Sequence, residues 1–200
     1  MGTGLRGLAL AVVCVAAGLS ACAGSDDGEA AVGLTAEQMR DAMPDREDLP
    51  RGWRGEAGPE VLKGKEAVKQ CASMAAKCSR TEVVAVGSDT YDEGTVNRAE
   101  GDREHKAHVV VLSFESEDGA KSVMRNLVGV GRSEGSQPVK IDAGAQDTEA
   151  WSTHESGFHA AQVTMRVGKV VVGVAGEDLK EPGDVQPVAE LLVDRVKDAS

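Results

Sequence analysis

Residues 160–176, AAQVTMRVGKVVVGVAG, restrict the fold more than any other part of this chain of 200 residues. Ala161, Val163, Met165 and Val167 alternate with Gln162, Thr164 and Arg166, the period of two that marks a strand with one buried face. Gly168 and Lys169 then supply a two-residue turn, as tight hairpins require. The second arm, 170–175, is apolar on both of its faces. The pair therefore predicts a β-hairpin, central in an antiparallel sheet.

The remaining patterns supply helices and further strands for that sheet. TAEQMRDAM opens with Thr35 and Gln38 at capping-box spacing, which predicts a helix start. Pro50 and Gly52 in DLPRGW, residues 48–53, force an extended or turning segment. A second helix is predicted over 65–76. TEVVAVGSDTY and HVVVLSF are β-rich, and in the latter Val110, Leu112 and Phe114 share one face. ESEDGAKSVMRNLVGVG turns helical, with Ala120, Val123, Met124, Leu127 and Val130 as its apolar stripe. Its acidic first turn and Arg132 at its exit both suit the helix dipole. PVAELLVDRVKDA closes the chain as an amphipathic helix on Val188, Leu191, Leu192 and Val196. The sum is an α+β fold, an antiparallel β-sheet of about five strands with helices packed on one face.

The N-terminal segment has a different composition. Residues 8–19 form an uncharged apolar run of twelve after Arg6. As a helix it would span roughly 18 Å, short of the ~30 Å hydrocarbon core of a bilayer. A short basic start, a brief apolar core and small residues at its end describe a secretory signal peptide over residues 1–21. Leu19, Ser20, Ala21 and Cys22 resemble the lipobox of bacterial lipoproteins. That resemblance implies a diacylglyceryl group on the Cys22 sulfur and cleavage just before it. Residues 22–34 are small, acidic and Gly-bearing, a flexible tether with a reach of about 20 Å, and 35–200 read as a single extracytoplasmic domain. The implied location is the outer face of the cytoplasmic membrane, held by two acyl chains.

Export decides the reading of the other cysteines. Cys14 leaves with the leader, and Cys71 and Cys78 in KQCASMAAKC remain where thiols are oxidised, so a disulfide is expected. Seven residues along an unbroken helix separate Cα atoms by ~10 Å, and a disulfide needs them within about 7 Å. The helix must therefore end or bend between the two. The formal charge of −11 is spread without long like-sign blocks. It argues against nucleic acid as a partner and acts mainly for solubility. Aromatic residues are limited to Trp53, Tyr91, Phe114, Trp151 and Phe158, so the core is built from Val, Ala, Leu and Met. Trp53 and Trp151 are the candidate ligand-binding residues, with ordinary packing as the competing reading.

Motifs with possible chemistry are few. GRSEG at 131–135 matches the G-x-S-x-G of serine hydrolases, but a helix leads in and the exit runs toward a strand, the reverse of what a nucleophile elbow needs. Ser133 therefore stands only as a weak alternative, with Asp142 or Asp147 and His154 or His159 following in triad order. His105 and His108 have a metal-like spacing, yet three positions along a strand point to opposite faces. Those two, like His154 and His159, read as solvent-exposed, and Asp89, Asp92 and Glu93 as a solvated turn. Gly129 and Gly131 lack the rest of a dinucleotide fingerprint. No metal, cofactor or catalytic residue is assigned.

With the lipobox, DLPRGW, the Cys71/Cys78 pair, VVVLSFESEDGAKSVM and MRVGKVVVGVAG together, the chain resembles an actinobacterial cell-envelope lipoprotein. Its layout over 47–197 is similar to the extracellular sensor domains of membrane serine/threonine kinases. Those domains usually carry two disulfides where this chain has one cysteine pair. The resemblance implies an antiparallel sheet with helices around a cleft and a ligand-sensing role without catalytic residues. The expected function is a membrane-anchored, non-enzymatic binding or sensor-like domain for a small molecule or envelope component. The alternatives are an interaction module for another envelope protein, and a hydrolase using Ser133.

Overall fold

The structure, a computed structural model, describes residues 33–55, 57–94, 105–155 and 157–200. The expected leader, Cys22 and the expected tether as far as residue 32 lie outside the described residues, whereas Gly33 and Leu34 at the end of that tether are buried. The elements run α1 (Ala36–Ala42), β1 (Trp53–Gly55), β2 (Glu60–Lys63), α2 (Gly64–Met74), β3 (Val83–Glu93), β4 (His105–Phe114) and α3 (Glu117–Gly131). Then come β5 (Gln137–Pro138), β6 (Asp147–Glu155), β7 (Phe158–Val167), β8 (Val170–Leu179) and α4 (Gln186–Ala199). Short 3₁₀ turns occupy Ala76–Arg80 and Pro182–Val185.

Among the described residues the strands make one antiparallel sheet of eight, ordered β1-β3-β4-β8-β7-β6-β5, with β2 also pairing with β3. The class is α+β, as the sequence predicts, with more strands than the expected five. The β7–β8 hairpin closes with Val167 opposite Val170, and Gly168 takes the positive φ of 55° that starts its turn. β8 lies between β4 and β7, fully inside the sheet, which explains why both its faces are apolar.

Helices cover both faces of the sheet, a correction to the one-face expectation. On one face, Leu34 and Met39 beside and within α1, and Val188, Leu192 and Val196 of α4, pack on Val109, Val111, Val163, Met165, Val172 and Val174. On the other, Ala67 and Cys71 of α2 and Ala120, Val123 and Met124 of α3 pack on Val86, Leu112, Phe114 and Val171. The reason is strand parity: β4 and β8 place valine, leucine or phenylalanine at both odd and even positions, so each face has apolar surface to bury. The α3 stripe is shorter than its sequence suggests, because Val130 is 68% exposed in the last turn.

Local signals explain the helix ends. Thr35 and Gln38 form the reciprocal capping box of α1, and the Gln38 amide donates to the Ala199 carbonyl of α4 at 2.9 Å. The Ser116 hydroxyl accepts from the Gly119 N–H at the start of α3. α2 stops at Met74 with Ala75 in extended conformation, which lets Cys71 and Cys78 come to a Cα separation of 5.5 Å and close their disulfide.

Candidate ligand cleft

The face carrying α2 and α3 is covered only at one end. Antiparallel register sorts its side chains into cross-strand rows. The first row, Val86, Leu112, Val171 and Arg166, lies beneath the helices. The next is Ser88, Val110, Gly173 and Thr164, and the third is Thr90, His108, Ala175 and Gln162. Beyond the first row, hydroxyls, an amide and an imidazole replace the large apolar side chains. Members of the outer rows form the floor of an open cleft of about 510 Å³, with Gln70 and Met74 of α2 and the segment near Gly58 as its side. That volume falls within the range of small-molecule sites, ~300–1,000 Å³.

The floor offers hydroxyls, amides and an imidazole. His108 Nδ1 shares a hydrogen bond with the Thr90 hydroxyl at 3.1 Å, and its Nε2 lies 3.9 Å from the Glu177 carboxylate. Glu60, the cross-strand partner of Ser88, is the charged lining residue on this face; Asp89 has the parity of Tyr91 on the opposite face, and neither lysine nor arginine is among the lining residues. An anion placed here meets the Glu60 carboxylate and no lysine or arginine. The cleft therefore suits uncharged or cationic groups that exchange hydrogen bonds with amides and hydroxyls.

A second cavity, about 640 Å³, lies between α3 and β6 and is lined by charges of both signs, Lys121, Arg125 and Arg166 with Asp147 and Glu149. Arg166 is buried, and its guanidinium donates to Asp147 Oδ2 at 2.6 Å, Gln146 Oε1 at 2.9 Å and the Gly168 carbonyl at 2.9 Å. These bonds satisfy the buried charge and tie the β7–β8 turn to β6. Arg166 is thus held as a structural brace.

The residues singled out from the sequence are distributed as follows. Trp53 and Trp151 are both packed, 7% and 4% exposed, and neither lines the cleft. Trp151 donates its indole N–H to the Gly131 carbonyl at 3.0 Å, with the Arg132 guanidinium 5.7 Å from its ring centroid. Its cross-strand partner is Gln162, so Trp151 fixes the end of α3 next to a cleft residue. Ser133 bonds Ser136 through their hydroxyls at 3.1 Å, inside the loop after α3. His105 is buried against Glu93 at 2.5 Å, and His108 is on the opposite face, as strand parity dictates. Asp89, Asp92 and Glu93 belong to β3 rather than to a turn, a correction that follows from their pairing with β4. Among the described residues, no group of three or more His, Cys, Asp or Glu side chains is placed to hold a metal ion.

Comparison with known proteins gives no matching family model and no matching curated protein. Among solved structures, the fold is similar to the extracellular domain of PknH from Mycobacterium tuberculosis. The TM-score is 0.56 and the identity 14%, covering 83% of this chain and 98% of that one.

Proposed function

We propose that this chain is an exported, lipid-anchored and non-enzymatic domain that binds an uncharged or cationic polar small molecule, or an envelope component bearing such groups. The observation that carries the reading is the open third row, Thr90, His108, Ala175 and Gln162, in a cleft lined by no lysine or arginine. The similarity to a domain described as extracellular supports an extracytoplasmic setting for this one. The lipobox supports acylation at Cys22. No helix among the described residues is long and apolar enough to cross a membrane.

Two measurements test the two halves. Intact-mass analysis of host-made protein is expected to give a chain beginning at Cys22 with a diacylglyceryl group added; a retained leader or a free thiol would overturn the anchor. For the cleft, amide resonances of Gln70 and Gln162 are expected to shift on titration with uncharged or cationic fragments of cell-wall peptides and glycans. His108→Ala and Gln162→Ala should each weaken the interaction about tenfold, the scale of a lost hydrogen bond with a group left unpaired. Shifts confined to the cavity around Arg125 would overturn the assignment.

A further inference from the structure

His154 on β6 and His159 on β7 are direct cross-strand partners. Their ring centroids are 4.4 Å apart, with the planes inclined at 53°. His159 Nδ1 is buried and makes no hydrogen bond among the described residues. A buried ring nitrogen without a partner is costly, and an imidazole lone pair is what a transition-metal ion takes. Metal–nitrogen bonds are ~2.0–2.1 Å, and the 4.4 Å between the two rings places both within reach of one ion.

We propose that His154 and His159 form a two-histidine site for one divalent transition-metal ion of the imidazole-preferring class, with solvent completing its coordination. Cu²⁺ is the strongest binder in such a site and Zn²⁺ weaker, following the ordinary order of divalent affinities. The pair lies away from the ligand cleft. His154 shares its parity on β6 with Ala150, which packs under the α4 face, whereas the cleft opens on the other face. Metal binding and cleft binding are therefore independent, and the failure of either leaves the other standing.

The test is titration of the full chain with Cu²⁺ alone and with Zn²⁺ alone, followed by calorimetry and by histidine side-chain NMR. Saturable binding of one equivalent is expected, tighter for Cu²⁺, with the His154 and His159 ring resonances broadened first. His154→Gln and His159→Gln should each weaken Cu²⁺ about tenfold or more, while His108→Gln leaves the affinity unchanged. Broadening centred on other residues, or affinity that survives both substitutions in folded protein, would overturn the site. So would wild-type rings that do not respond to millimolar metal.

Discussion

A Cβ added at position 131 would stand 2.6 Å from Trp151 Cζ2 and 2.8 Å from Gln162 Oε1. The end of α3 reaches the sheet only because glycine is there. Gly131→Ala is expected to cost about 1–3 kcal/mol of stability in a urea melt and to disturb Gln162 on the cleft floor. Tyr91 makes the opposite case. Its phenol is fully buried, and its oxygen has no hydrogen-bond partner among the described residues. Burial, and then Asp89 and Asp45, push its pKa well above the ordinary value of 10.0. Above about pH 10 the unfolded chain therefore loses a proton that the native chain keeps, and stability falls as pH rises. Tyr91→Phe should leave stability at neutral pH equal or slightly higher and flatten the alkaline decline. A large loss at pH 7 would show that the hydroxyl has a partner after all.

Elements were legible in the sequence where they carry a local signal. The β7–β8 hairpin shows its alternation and its Gly168 turn, α1 its capping box, and α2 must break between Cys71 and Cys78. That break has a measurable counterpart. Replacing Cys71 and Cys78, both fully buried, together by alanine should lower stability by about 2.5 kcal/mol, the chain-entropy value for so short a loop. Leu192→Ala in α4 removes a fully buried side chain and should cost about 2–5 kcal/mol, both read by denaturant melts. β1 and β5 lack any such signal, being three and two residues long, and β6 mixes charged, hydroxyl and aromatic residues. The cleft was less legible still. Alternation assigns Thr90, His108, Ala175 and Gln162 to faces of their own strands, but only register sets the four in a row. The same gap hid the meeting of His154 with His159. Trp53 and Trp151 stand out in the sequence by their rarity, and their large apolar surfaces are used for packing.

At the scale of the whole molecule, an acidic chain with formal charge −11 carries a cleft without lysine or arginine on one sheet face and a separate cavity of mixed charge beside α3. The proposed lipid anchor would keep the cleft close to the membrane while leaving it open to envelope molecules. Native mass spectrometry of protein gently released from host membranes is the direct test of whether the cleft holds a ligand. Wild-type protein should carry a small, non-anionic molecule that leaves on collisional activation and is missing from the His108→Ala, Gln162→Ala double variant. A wild-type mass equal to the acylated polypeptide alone, or the same adduct on both proteins, would contradict a ligand-binding cleft.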